Sequence, residues 1–331
     1  MTSETAATPR SQWLTAAAWR RVLRDQPLIP LTLLLLALVV VLQIVNPGIV
    51  TAAWAGVIVR QAVPLAILAG CQTLAMLTGG IDLSVGAVAS MAAFVMATLV
   101  NSQGPLVAIL AGLGIALLSG VITGVGIGVF KVHPLIMTLG MSLVVLGFVA
   151  VYQLAMVLSG IVIPDPIVWL GSETTFGFIP NSVFLFVPLA ILIVGGLRRS
   201  GYGRLLFAIG DNAVASRLAG VRIWQVLVVL YTLSALLAAI AGFLVAGLNK
   251  TASPALVESA VLPSVAAAVI GGTSILGGRG GFAGTIVGAL ILTLLNTLLT
   301  TLNMPEAMRQ VLFGAIIVVV AAAYTRVTGE A

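Results

Sequence analysis

Three stretches of this 331-residue chain gather the side chains and glycines that could do chemistry or reverse the backbone. The first reads Thr78-Gly79-Gly80-Ile81-Asp82-Leu83-Ser84-Val85-Gly86. Gly79 and Gly80 tolerate backbone angles that end a helix sharply. Asp82 or Ser84 can then cap the next helix by accepting its free N–H groups, and a negative charge beside a helix start answers the macrodipole. The stretch reads either as a capped tight turn or as a turn that lines a substrate path or meets a partner, and both can hold together. The second stretch runs from Ser200 through Gly203, Arg204, Gly210, Asp211, Asn212, Ala215 and Arg217 to Gly220. Asp211 or Asn212 suits an N-cap and Gly220 suits the residue just past a C-cap, so one short helix of about two turns is expected between them. Val214 and Leu218 lie four apart on one face; such a face can dock in another protein's groove or rest on anionic lipid. The third stretch, Ala268–Gly284, holds glycines at 271, 272, 277, 278, 280, 281 and 284. It lacks G-x-x-x-x-G-K-[ST], and Arg279 does not replace that lysine. Close helix packing in lipid and a broken-helix turn account for it.

The remaining candidates are single residues. Arg60 falls inside an apolar run near one end, where it is expected to snorkel outward. Gln72, Asn296 and Asn303 are uncharged polar groups that either bond across helices or face a solute. His133 before Pro134 reads as a turn residue. No Ser-His-Asp set, H-E-x-x-H, nucleotide motif or carboxylate pair within a span is present, so no catalytic residue is assigned. His133 and Cys71 are the only His and Cys, so no metal site is expected and no disulfide can form within the chain.

Those stretches must be held by apolar helices. Hydrophobic residues make up 60% of the chain and charged residues 7%, against about a quarter charged in soluble domains. That excludes an ordinary soluble domain and a disordered chain. Sixty per cent of 331 residues is close to the ~200 that ten spans of about 20 residues require. The expected spans are 28–45, 54–77, 84–101, 105–129, 135–158, 182–197, 223–248, 257–276, 281–301 and 307–325, with Pro263 and Gly271-Gly272 marking the eighth as broken or partly re-entrant. If the N-terminus is cytoplasmic, the inner segments carry Arg10, Arg20, Arg21, Arg24, Lys131, Arg198, Arg199, Arg204, Arg217, Arg222, Arg279 and Arg326. This bias places both termini in the cytoplasm and explains the net charge of +6 without nucleic acid. The expectation is an all-α integral membrane protein: a cytoplasmic segment 1–27, a transmembrane domain 28–325 and a cytoplasmic tail 326–331. The polar segments 159–181 and 198–222 are long enough to be functional rather than idle. The second separates five spans from five, and an odd number per half inverts one half relative to the other.

With these residues in place, the chain resembles the permease subunits of bacterial ABC importers for ribose and related monosaccharides. The resemblance covers nearly everything after about residue 25 and rests on TGGIDLSVG at 78–86, GRLLFAIGDNAVASRLAG at 203–220 and AVIGGTSILGGRGGFAG at 268–284. The family usually has Tyr where this chain has Phe207 and commonly Gly where it has Asp211; neither change removes the helix start. The resemblance implies a multi-pass protein of the bacterial cytoplasmic membrane. Its implied partners are a pair of ATP-binding subunits inside, a second permease copy or paralogue, and an extracytoplasmic sugar-binding protein, besides membrane lipid. It implies that ATP and Mg are bound by the partner and no cofactor by this chain. It assigns ATPase coupling to Gly203, Arg204, Gly210, Asp211, Asn212, Ala215, Arg217 and Gly220, and tips the choice for the short helix towards docking. Thr78, Gly79, Gly80, Asp82 and Ser84 are the expected gate region. The rival readings are a self-sufficient secondary carrier, for which midplane carboxylates are missing, and a lipid-modifying membrane enzyme, for which no nucleophile can be named.

Overall fold

The fold, a computed structural model, describes residues 28–156 and 160–328. The expected segment 1–27, with Arg10, Arg20, Arg21 and Arg24, and residues 329–331 of the expected tail lie outside the described residues. Apolar runs of this length can satisfy their backbone in lipid only as helices, and helices dominate. They are α1 (Leu28–Val45), α2 (Ala52–Leu77), α3 (Val85–Gly128), α4 (Pro134–Ala155), α5 (Asp165–Ser172), α6 (Ser182–Arg199), α7 (Gly201–Asp211), α8 (Ala213–Leu218), α9 (Ile223–Asn249), α10 (Val261–Ile270), α11 (Phe282–Thr301) and α12 (Glu306–Thr328). Among the described residues, α1, α2, α3, α4, α6, α9 and α11 are long and apolar enough to cross a bilayer.

Two expected spans, 84–101 and 105–129, meet in α3. A straight helix of its 44 residues would run roughly 66 Å, over twice the hydrocarbon thickness. It does not stay straight: Gly104, at φ 80° and ψ 165° ahead of Pro105, leaves helical geometry. The second limb folds back on the first, and a Cβ on Gly112 would sit 2.6 Å from the carbonyl oxygen of Ala92. The expected eighth span shortens to a 3-10 turn (Glu258–Ala260) and the ten residues of α10. Ten residues rise only about 15 Å, half the apolar layer. A non-helical glycine-rich segment, 271–281, follows.

Of the polar segment 159–181, the described residues 160–181 are folded rather than loose. They hold α5 and a two-residue hairpin, β1 (Thr174–Thr175) against β2 (Ile179–Pro180), with Thr174 opposite Pro180. Arg60 reaches towards the polar segment but ends on a protein acceptor rather than in water. Its Nη1 donates to the carbonyl of Ser172 at 2.7 Å, so the guanidinium satisfies a free acceptor at the C-terminus of α5. His133 stands at the N-cap position of α4 with Pro134 in the first turn, as a turn residue should.

The core centres on α9, which packs most extensively on α3 and next on α2. Lipid tails are as apolar as leucine, so close packing must hold these helices together. Small residues permit it. Gly120, Gly124 and Gly128 form a ladder four residues apart on α3 and face, in antiparallel order, Tyr231–Ala235, Val228 and Trp224 of α9. A Cβ on Gly124 would lie 2.6 Å from the Cα of Val228. Replacing Gly124 with Leu should therefore force the pair apart and destabilise the protein by roughly 1–3 kcal/mol. Thermal unfolding of the purified protein in detergent checks this, with Gly140→Leu, where a Cβ meets nothing within 4 Å, as the neutral comparison.

Candidate functional site

The turn between α2 and α3 is fixed from three sides. Gln72 of α2 brackets its backbone: Nε2 donates to the Asp82 carbonyl at 2.8 Å, and the Asp82 N–H donates to Oε1 at 3.2 Å. From α4, the Thr138 hydroxyl donates to the Ile81 carbonyl at 3.2 Å. From α9, the Ser234 hydroxyl donates to Asp82 Oδ2 at 2.8 Å. Asp82 Oδ1 accepts the Ser84 N–H at 3.1 Å and the Ser84 hydroxyl at 2.6 Å. Asp82 and Ser84 are buried. Ser84 occupies the N-cap position of α3 but its side chain makes no capping bond. The expected capping therefore becomes something else: a carboxylate tying the start of α3 to the middle of α9. The Asp82 carboxylate has no salt bridge among the described residues, so these three donors must offset its removal from water. Tyr231 of α9 is buried beside Gly80, and its hydroxyl has no hydrogen-bond partner among the described residues. Thr78 closes α2, its hydroxyl donating to the Ala75 carbonyl at 2.9 Å.

The second stretch forms two helices, not one. Ser200 caps α7 by accepting the Gly203 N–H at 2.9 Å, and the Tyr202 hydroxyl donates to the Val226 carbonyl at 2.9 Å. Burial pushes the Tyr202 phenol up from its ordinary range, which keeps it a donor. Asn212, rather than Asp211, caps α8: its Oδ1 accepts the Ala215 N–H at 2.9 Å. Gly220 follows with φ +86°, as the helix stop requires. Of the six residues of α8 only Ser216 is buried. Val214 is 70% exposed and Leu218 85% exposed, leaving an apolar stripe without cover. Asp211, Asn212, Ala215 and Arg217 are exposed on or next to α8, and Arg204 is exposed in the first turn of α7.

The three stretches meet at one place. Gly210, at the end of α7, lies so close to the Leu77 carbonyl and the Gly278 nitrogen that no Cβ would fit. Gly278 N–H donates to the Leu77 carbonyl at 3.1 Å. Gly277 has φ +97°, and a Cβ there would lie 2.9 Å from the Gly210 oxygen and 3.1 Å from the Gly79 nitrogen. The base of the exposed helix is thus seated, backbone on backbone, against the Asp82 turn and the glycine-rich segment after α10. That segment is also packed as expected: Gly271 abuts Gly284 and Thr285, and Gly288 abuts Ala267. A hydroxyl pair, Thr73 with Thr285 at 2.7 Å, joins α2 to α11.

The structure brings Gly277 against both Gly79 and Gly210, and Gly210 against Leu77, with Gly80, Asp82 and Ser84 in the turn that follows. Gly203, Arg204, Ala215, Arg217 and Gly220 belong to the projecting α7–α8 arm. Sequence reasoning missed Ser234 and Tyr231, which look like ordinary residues of an apolar run, and missed Gly277 and Gly278 as the seat of Gly210. No spacing within one sequence signals these contacts.

Residues 55–321 match the family described as the permease component of the branched-chain amino acid transport system. The chain belongs to this permease family. It is 32% identical over 304 residues to a fructose import permease of Rhizobium meliloti, covering 89% of this chain and 84% of that one. It is 34% identical over 294 residues to a ribose import permease of Bacillus subtilis, covering 86% and 88%. A galactofuranose transporter permease of Escherichia coli is 33% identical over 269 residues, covering 80% and 77%. No solved structure matches the chain.

Asp82→Ala should strand the Ser84 and Ser234 hydroxyls and lower stability by about 2–3 kcal/mol. Asp82→Asn, which keeps one acceptor oxygen, should cost less. Thermal unfolding of the two purified variants against wild type measures the difference.

Proposed function

We propose that this chain is the membrane-spanning permease subunit of an ATP-binding cassette importer and forms the path for a monosaccharide, a ribose-like pentose or related sugar. The observation that carries the reading is the exposed helix α8, which follows directly on α7, whose Gly210 is seated backbone-to-backbone against Leu77 at the end of α2 and against Gly278. The names of the fructose, ribose and galactofuranose permeases supply the solute class. A self-sufficient secondary carrier fits less well, because these relatives are import permeases and the buried Asp82 is already committed to Ser84 and Ser234.

ATP-binding subunits on the cytoplasmic side would grip α8 through Val214 and Leu218, with Arg217 on the same helix and Arg204 on α7. ATP and Mg would be bound by those subunits, and this chain would hydrolyse nothing. A sugar-binding protein would deliver solute at the opposite face, where α5 and the small hairpin lie, and a second permease copy or paralogue would complete the conduit. Both termini would be cytoplasmic, in a bacterial inner membrane, in line with the distribution of Lys and Arg.

Ten crossings arise if the two limbs of α3 count separately and α10 with its glycine-rich segment counts as one. The packing supports two inverted halves. α9 packs on both limbs of α3, and α2 packs on α10 and α11 in the same way. On this plan α2 and α9 run in opposite directions and each inserts into the other half. Thr78, Gly79, Gly80, Asp82 and Ser84 would form the inner gate region. Movement of α8 on ATPase closure would pass through α7 to Gly210, and from there to the 77–84 turn and the 277–278 seat together. Such a contact shifts as a unit and does not bend, which suits alternation between two openings.

Ala215→Glu should place a bulky charge in the docked face while leaving the fold intact, because Ala215 is exposed. In proteoliposomes holding the whole importer, sugar uptake and binding-protein-stimulated ATP hydrolysis should both fall at least tenfold. Survival of both at normal expression would remove α8 from the coupling role.

A further inference from the structure

A second polar site lies away from the junction, in a cleft between α2, α10, α11 and α12. We infer that this cleft is a binding subsite for one neutral polyhydroxylated solute, a monosaccharide. The inference rests on the monosaccharide reading above and adds to it residues of the path itself. The cleft measures about 200 Å³, below the roughly 300–1,000 Å³ of sites for drug-sized ligands. It therefore suits a single small molecule. It is also distant from the seat of Gly210: Asn296 lies fourteen residues along α11 from Phe282, a rise of roughly 21 Å.

The chemistry of the walls favours hydroxyl groups over ions. Gln61 from α2 and Gln310 from α12 line the cleft. Both are exposed, and among the described residues neither side chain makes a hydrogen bond. Each amide offers two donors and an acceptor, the combination a vicinal pair of sugar hydroxyls can use. Asn296 also lines it, with Oδ1 accepting from Arg309 Nη1 at 2.8 Å, which turns its amide NH₂ free among the described residues. The charged groups lining the cleft are one of each sign, Arg309 and Glu306, already joined at 3.0 Å. Arg309 Nε is buried without a partner among the described residues, an unused donor at the wall. The lining charges cancel, so an ionic solute gains nothing from them that a neutral one lacks. Phe313 and Leu292 supply an apolar floor for the C–H face of a sugar ring. A larger groove of about 590 Å³ between α3 and α4 has the opposite character: Ser119 is its one hydroxyl among apolar and glycine neighbours. It cannot satisfy a polyol.

The test uses the assembled importer in proteoliposomes, with radiolabelled D-ribose and D-fructose as probes. In the double variant Gln61→Leu/Gln310→Leu, two exposed and unbonded amides are replaced by side chains of similar length, so folding is little disturbed. Uptake should fall at least tenfold while binding-protein-stimulated ATP hydrolysis stays within twofold. A smaller fall in uptake, or a fall matched by an equal loss of hydrolysis, overturns the subsite and leaves the permease reading standing. Wild type that imports neither sugar removes that reading and the subsite with it. Thiol labelling gives an independent measurement, because Cys71 is the sole native cysteine and is buried. Labelling of Gln61→Cys in the purified permease should slow at least threefold when D-ribose or D-fructose is added in excess, whichever the wild type imports. An unchanged rate with that sugar rejects the site.

Discussion

In a bilayer, apolar side chains gain little by leaving lipid for one another, so the close approach of backbones holds the helices together. That constraint organises this molecule. The α3–α9 interface rests on glycines four residues apart, and the α10–α11 interface on Gly271, Gly284 and Gly288. The seat of the α7–α8 arm rests on Gly210 against Leu77 and Gly278. In each case a side chain is missing where another element's carbonyl or Cα needs the space. Interfaces of this kind have steep walls. They hold one arrangement or another and tolerate little between, because a fraction of an ångström either opens a gap or makes a clash.

Polar groups are scarce, so each one has a large local effect. Asp82 binds its own helix start through Ser84 and the centre of α9 through Ser234. Gln72 and Thr138 hold the same turn through its backbone. Four separate elements therefore agree on the position of residues 80–84. The seat of Gly210 lies immediately beside it at Leu77–Gly79. On the proposed reading, a displacement of the arm would meet a turn held from several sides and would pass to the helices that hold it. The polar cleft near Asn296 and Arg309 is built differently, with unused amides at its mouth and a self-neutralised ion pair in its wall. One polar cluster closes on itself and stiffens; the other leaves hydrogen-bonding capacity open.

Much of the architecture could be read from residue order. Apolar runs and turn residues gave α1 at Leu28–Val45 and located the break at Gly104-Pro105, and Pro263 with Gly271-Gly272 marked the short α10. Residue types and glycine spacing isolated the three stretches, and two of them prove to meet the third at Gly277 and Gly278. Three things were not legible, each for a physical reason. Arg60 was expected to snorkel, because nothing local reveals that the carbonyl of Ser172, 112 residues away, waits for it. Asp82 was expected to cap α3, because capping is the short-range use of an acid at that spacing; its partner Ser234 is set by the packing of α9. Segment 201–211 was expected as part of a loop, since Gly203 and Gly210 read as loop residues although Gly203, Leu206 and Ile209 form one buried face. Those glycines are there for close contact with Leu197 and Leu77 and not for flexibility.

The placement of charge bears on how such a path can work. A protein that moved its solute by binding protons or ions inside the membrane would need ionisable groups free to exchange partners there. Here Arg60 is fixed to a helix end, Arg309 to Glu306 and Asn296, and Asp82 to three donors. None is left as a mobile charge. A neutral solute asks for no such charge, only for hydrogen-bonding groups that release it as readily as they receive it. Exposed glutamines with free rotamers meet that requirement, because ordering each long side chain around a ligand costs conformational entropy that keeps affinity low. On that reading tight capture would occur elsewhere, and so would the work of changing the opening. On the proposed reading that work would enter through the exposed stripe of Val214 and Leu218 on α8, which follows the α7 residue Gly210 seated against Leu77 and Gly278.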